Sequence, residues 1–501
     1  MDYTPFRFFR NFIFSLTLLV FANECLAQRI NFKSDNMSSE MPGIINLLGN
    51  AVLKQNNVTM YCDRAIFNEN DNSFESFGKI KIVQGTSVTT GESLKYDGNT
   101  RTGKLRNNVR LIDGSLVLTT QFLDFNTADN TGYFYNGGQV VDSNATLVSR
   151  TGHYQSLTKT YFFNDKVVLY NDKYTLRTDT LKYNALTKVA YVYGPATVTG
   201  DSTYMYFENG VYNTQKQIAS LSIKAYIKRN GQTIKGDSLY YNKQEKMGRA
   251  FRNVEMTDSA QKIIIRGEYA EYYGEPQRGF VTKKALLISI GDKDSLFLHA
   301  DTLQSAYDST GKFKVLKAYH KVGIYKPDIQ ARCDSLVYTT RDSVLHFYHN
   351  PILWNYENQI TAEYIEVLTK NRKPDLFKLK TQSFIVSKHD TSAQYDQISG
   401  RNMIGYLKDN QLTKIDVLGN GETIYYPVDK KEIIGVNKAE CSNLKIYIDE
   451  KKVQRVVFLS KPIGALHPLK ELDAKDLILK NFKWLDKIRP MKVDDIFISK
   501  P

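Results

Sequence analysis

The chain has 501 residues, with Lys+Arg 67 against Asp+Glu 53 and a formal charge of +14. At 42% hydrophobic and 24% charged it is not a disordered chain, and Gly 30 with Pro 12 excludes collagen-like or low-complexity character. Four cysteines in this length exclude a disulfide scaffold, and Tyr 33 plus Phe 26 against Trp 2 is a composition that favours strands.

Residues 1–27 read as a secretory leader. Arg7 and Arg10 give the positive region, Phe12 to Ala22 the apolar region, and Cys25-Leu26-Ala27 the small residues of a cleavage site before Gln28. The apolar region is too short to span a bilayer. Ala22-Asn23-Glu24 is a poor lipobox, so Cys25 is not expected to carry lipid. No later apolar run is long enough to cross a membrane. The expectation is an exported chain without a transmembrane helix.

The body repeats a phrase: an acid, an apolar residue two later, an aromatic or apolar residue two after that. It reads Asp63-Ala65-Phe67, Glu92-Leu94-Tyr96, Asp179-Leu181-Tyr183, Asp237-Leu239-Tyr241 and Glu268-Ala270-Tyr272. Asp301-Leu303, Asp334-Leu336-Tyr338 and Glu363-Ile365-Val367 continue it, with weaker copies at Gln121-Leu123-Phe125 and Gly152-Tyr154. The period is about 29 residues, with a faint copy near Glu208. Between phrases lies alternating apolar sequence, as in Gly78-Lys79-Ile80-Lys81-Ile82, Asn108-Val109-Arg110-Leu111 and Asp165-Lys166-Val167-Val168-Leu169. Alternation at period two predicts strands with one buried face. Asp97-Gly98, Asp113-Gly114, Asn136-Gly137, Asn209-Gly210, Asn230-Gly231 and Asn420-Gly421 carry hairpin-turn chemistry. A ladder of equivalent acids predicts structure rather than catalysis: carboxylates bonding turn backbone at strand starts.

The end of the chain changes style. Residues 462–468 read as a linker, and the spacing of Ile478, Phe482, Leu485 and Ile488 predicts one amphipathic helix over 472–488. Its expected use is to cap the last sheet; lysines beside the apolar stripe would also suit a membrane surface.

The repeated strand phrases, over nearly all of residues 45–445, resemble the OstA-like family, which includes LptA-type lipopolysaccharide-transport proteins. The resemblance implies an all-β fold: a repeat-built β-jellyroll of two facing antiparallel sheets, folded like a taco around an apolar interior. The chain is about twice as long as an LptA-type protein. The implied organisation is a leader at 1–27, a first jellyroll at 28–230, a second jellyroll or continuation at 231–460, and a linker and helix at 461–501. The resemblance further implies a non-enzymatic periplasmic carrier, possible association with the outer membrane included. It would hold lipopolysaccharide or a similar glycolipid and bridge inner- and outer-membrane components. Its partners would be OstA-like domains docking by sheet-edge pairing, with head-to-tail self-association. Alternation places Ile80, Ile82, Leu94, Tyr96, Val109, Leu111, Leu123, Phe125, Leu181 and Tyr183 inward, as candidate acyl-groove residues or a closed core. The alternative function is a structural or adhesive β-solenoid without lipid cargo.

Motifs for catalysis are missing: there is no His-Glu-x-x-His, Gly-x-Ser-x-Gly or phosphate-binding loop. His346 and His349 would face opposite ways on a strand, so no metal and no cofactor are expected. Cys62, Cys333 and Cys441 read as small buried residues. Basic residues are spread along the chain, and no nucleic-acid partner is expected.

Overall fold

A computed structural model describes residues 29–142, 145–170, 172–200, 202–370, 373–389, 394–409, 411–429, 432–449 and 452–498. The leader expected at 1–27 lies outside the described residues. The chain divides into two compact units, one up to Ser143 and one from Asn144. Both are antiparallel β, and no described helix is long and apolar enough to cross a membrane.

In the first unit the strands are long: Ile44–Gln55, Val58–Asn68, Ser73–Gln84, Ser87–Asp97, Thr102–Asp113 and Leu116–Asn126. Each pairs with its sequence neighbour, and each pairing breaks register once, near mid-strand: at Leu48/Ala51, Tyr61/Arg64, Phe77/Ile80, Thr90/Ser93 and Arg106/Val109. The extra residues are left-handed pairs: Gly49 and Asn50, Gly78 and Lys79, Asn107 and Asn108. A bulge of this kind bends a strand. Repeated at one level, it folds the ladder into two facing leaves. The first leaf holds 51–55, 58–62, 80–84, 87–91, 109–113 and 116–120; the second holds 44–48, 64–68, 73–77, 93–97, 102–106 and 122–126.

The repeated acids sit at these bends, not at strand starts. Glu92 accepts a hydrogen bond from Asn108 Nδ2, sixteen residues on. In the second unit Asp237 accepts from Asn253 Nδ2 at 3.0 Å and Glu208 from Lys224 Nζ at 2.8 Å, again sixteen residues on. Asp334 meets His320 at 2.9 Å and Asp301 meets Lys321 at 3.3 Å. The acid therefore ties down side chains of the bulge it faces. At Gly78 (φ +78°) an added Cβ would lie 2.5 Å from Asp63 Oδ2. Gly78→Ala is expected to cost about 1–2 kcal/mol, read by denaturant unfolding, because both the left-handed backbone and the carboxylate resist a side chain.

The second unit continues the pattern from Thr160–Tyr170 to Val436–Asp449. Asn230-Gly231 forms a tight turn with both residues left-handed, joining Ile218–Arg229 to Gln232–Asn242 inside this unit. Asn209-Gly210 and Asn420-Gly421 are not turns; they lie within Thr203–Asn213 and Gln411–Tyr425.

The expected helix at 472–488 is not formed. The tail has only 3-10 turns, at Leu469–Glu471, Asp486–Ile488 and Val493–Phe497. It lies as a strap across the outward face of the first leaf. One outward row of opposed residues runs Ile288, Phe297, Tyr325, Gln330, Trp354, Gln359, Val386, Gln397, Ile424. Its glutamines hold the strap backbone. Gln397 donates to Leu477 O and accepts from Leu479 N, both at 2.8 Å; Gln359 donates to Lys483 O and accepts from Leu485 N, both at 2.7 Å. Gln330 accepts from Arg489 Nε at 2.8 Å. Arg332 donates to Ile488 O at 2.6 Å and Asp495 O at 2.7 Å. Backbone groups a helix would pair internally are thus taken by the sheet. Leu477 and Leu479, an alternating pair, pack with Ile424, Tyr426 and Val436, while Ile478 between them is exposed.

Candidate functional site

The inward faces of the two leaves carry two cross-strand ladders. In the first unit the first-leaf ladder runs Leu53, Met60, Ile82, Thr89, Leu111, Leu118, Val140. On the second leaf Phe67, Phe74, Tyr96, Gly103 and Phe125 are opposed in turn. Rings of Phe74 and Tyr96 lie 5.3 Å apart, and those of Tyr96 and Phe125 6.3 Å. Among the candidate groove residues, Ile80, Ile82, Val109 and Leu111 fall on the first leaf; Leu94, Tyr96, Leu123 and Phe125 fall on the second. All are buried except half-buried Phe125, and Leu94 is 1% exposed. The leaf tips are bonded together. Gln55 accepts from Tyr96 Oη at 2.6 Å and donates to Gly98 O at 2.9 Å, and Gln84 Nε2 donates to Asn130 Oδ1 at 2.6 Å. Burial pushes the Tyr96 phenol above its ordinary pKa. The first unit is a closed sandwich.

The second unit differs. Its first-leaf ladder runs Leu176, Val198, Met205, Ile227, Ile234, Met256, Ile265, Leu287, Leu298. The six residues from Met205 to Leu287 are only half-buried. The second-leaf ladder alternates tyrosine with small residues: Tyr183, Ala190, Tyr212, Ala219, Tyr241, Gly248, Tyr272, Gly279. Tyr183, with Leu181 buried beside it, begins this row; Tyr241 is 43% and Tyr272 50% exposed. Side chains of this size would be buried if the leaves met. Between about 203 and 290 the two inward faces therefore line an open trough. Alanine and glycine between the rings leave slots two strands wide, roughly 9.5 Å from one tyrosine to the next.

Sequence reasoning found the aromatic position but missed two signals beside it. One is the small residue opposite each tyrosine. The other is the asparagine following it. Asn184 Oδ1 accepts from Leu186 N and Thr187 N at 3.0 and 2.8 Å; Asn213 and Asn242 make the same turn.

Among the described residues no group of three or more His, Cys, Asp or Glu could hold a metal ion. His346 bonds Tyr364 Oη instead. Cys62, Cys333 and Cys441 are free and buried, and burial raises the Cys62 thiol to about 11.

Residues 27–179 match the family model described as OstA-like protein. Over this stretch the chain is similar to the OstA-like family. The OstA-like stretch contains the closed sandwich and the first strands of the second unit. Among solved structures, LptH from Pseudomonas aeruginosa, the LptA-homologous periplasmic component of the lipopolysaccharide transport device, matches at 16% identity; the match covers 23% of this chain and 93% of LptH, with a TM-score of 0.21. No curated protein matches the chain.

Proposed function

We propose that this protein is a non-enzymatic periplasmic carrier of lipopolysaccharide or a similar glycolipid, bridging inner- and outer-membrane transport components. The observation that carries the reading is the trough of the second unit. Half-exposed Met205, Ile227, Ile234, Met256, Ile265 and Leu287 face half-exposed tyrosines across it. Each methylene left in water costs about 0.8 kcal/mol, so such a surface is matched by acyl chains. Leu181 and Tyr183 stand at its start. Ile80, Ile82, Leu94, Tyr96, Val109, Leu111, Leu123 and Phe125 offer a second apolar lining, which takes chains once the Gln55 and Gln84 bonds open. Partner OstA-like domains, or a further copy of the chain, dock by strand addition. Lys452–Leu459 and Ile463–His467 pair only with Val436–Asp449 among the described strands, which leaves an edge to be extended.

A photocrosslinking residue at Ile234, in living cells, is expected to trap lipopolysaccharide, whereas one at its outward neighbour Lys235 is not. Equal trapping at both positions, or none at Ile234, would count against the carrier reading.

A further inference from the structure

The trough has one lip built differently from the rest of the molecule. Four-residue loops follow the inward tyrosines Tyr154, Tyr183, Tyr212 and Tyr241 of the second leaf, at 156–159, 185–188, 214–217 and 243–246, the last three opening on an Asx turn. The loops stack. Ala185 N donates to Lys159 O, Thr214 N to Lys188 O, Lys243 N to Gln217 O and Gly274 N to Lys246 O, at 2.8–3.1 Å. They form a continuous ledge running from Tyr154 to Tyr241.

The ledge is both cationic and apolar. The side-chain ammonium groups of Lys188, Lys216 and Lys243 take no hydrogen bond or ion pair among the described residues, while that of Lys246 is already paired with Glu275. Leu157 and Leu186 on the first two loops are 76% and 68% exposed. The opposite lip is mixed, with Lys228, Arg229 and Lys293 set among acids. There Asp258 takes Gln232 at 2.8 Å, Asp292 takes Lys262 at 3.2 Å, and Asp294 adds a third acid. Stacked loops that pair cations with exposed leucines, half-exposed tyrosines just inside them and an apolar floor beyond have the profile of an anionic amphiphile lying across an edge.

We propose that this ledge binds the phosphorylated headgroup of a lipid whose chains occupy the trough, with Lys188, Lys216 and Lys243 as the phosphate contacts. The inference rests on the carrier reading and adds a direction to it: the headgroup leaves over the second leaf, not the first. Spacing adds a second constraint. Successive loops are two strands apart, so phosphates roughly 10–20 Å apart can be met by different loops. Exposed single contacts are individually weak, and three acting together give about tenfold in affinity.

The test uses the full exported chain and a neutral probe, N-phenyl-1-naphthylamine, displaced from the trough by bisphosphorylated lipid A or by the same lipid stripped of phosphate. The wild-type protein is expected to release the probe at about tenfold lower concentration of the phosphorylated lipid. The triple variant Lys188→Gln, Lys216→Gln, Lys243→Gln is expected to respond equally to both lipids with an unchanged melting curve. The triple Lys→Arg variant should retain the preference. If the Gln variant keeps the wild-type preference, or if wild type shows none while both lipids displace the probe, the ledge proposal falls and the carrier reading stands. If inorganic phosphate abolishes the preference where chloride at equal ionic strength does not, the ledge is a site for free phosphate and the headgroup assignment is overturned. If neither lipid displaces the probe, the carrier reading itself fails.

Discussion

Leu94→Asp is expected to unfold the first unit, while Ile234→Asp leaves the second unit folded and removes lipid binding. Both residues face inward from mid-strand, and a sequence-based reading treats them alike. Leu94 is 1% exposed and stands opposite Leu105 and Ser76 inside the bonded sandwich. A carboxylate there loses its hydration and finds no cation in the ladder. The cost, added to that of the lost leucine, is on the order of 4 kcal/mol or more, a large share of a domain's stability. Leu181, at 2% exposure, should behave the same way. Ile234 is half-buried at the open trough, so a carboxylate remains hydrated in the empty protein while repelling acyl chains. Circular dichroism melts of the variants, beside a lipid-binding assay, separate the two outcomes. An Ile234→Asp protein that still binds lipid would place the cargo elsewhere, and a stable Leu94→Asp protein would show that the sandwich opens to water.

Removal of residues 468–501 is expected to destabilise the second unit by several kcal/mol and to expose a dye-binding apolar strip. The strap covers Leu286 and Ile288 through Ile496, and Phe384 through Phe482 at 6.4 Å between ring centroids. It also meets the amides of Gln330, Gln359 and Gln397, which are 1–3% exposed. Without the strap these groups become wet, and the outward row alternating glutamine with Trp354, Val386 and Ile424 becomes an apolar surface that favours association. A gentler version is Arg332→Ala, which removes two hydrogen bonds to strap carbonyls from a partly buried guanidinium and should cost about 2–3 kcal/mol. Fluorescence of an added hydrophobic dye, followed through a thermal ramp, measures both. A truncated chain that melts like the intact one would mean that the strap only rests on the sheet.

Much of this was legible in the residues. The 29-residue phrase named the rungs, and alternation named the inward side chains, because a repeat must bury the same face at every step. What sequence reading could not see follows from three physical causes. The acids were assigned to strand starts since a bulge looks like an interruption; only the left-handed pairs Gly78-Lys79 and Asn107-Asn108 show that one strand passes through the bend. The helix at 472–488 failed since its apolar spacing at 478, 482, 485 and 488 was weighed without partners. Leu477 and Leu479, out of that spacing, make the contacts, and the sheet glutamines supply the hydrogen bonds. A hint was present in Ser383-Phe384-Ile385-Val386, where both parities are apolar or small, as in a strand covered on both faces. The difference between closed and open stretches was invisible to periodicity, since Leu94 and Ile234 obey the same alternation; it is set by how far apart the leaf tips lie.

The strap also imposes an order in time. Most rungs form from neighbours in sequence, so their loops close early and at small entropic cost. The strap's hydrogen bonds to the sheet join residues 80 to 163 positions apart, from Gln397 with Leu477 to Arg332 with Asp495. It can seat only when the strands from 329 to 408 already stand in register, because its three anchoring glutamines are spread over five successive strands of the sheet. A single misregistered strand would turn its glutamine inward and leave a gap in the row. The strap from Leu469 to Phe497 therefore acts as a gauge laid along the finished sheet, bound tightly when the strand pairings beneath it are correct and left loose when one is not.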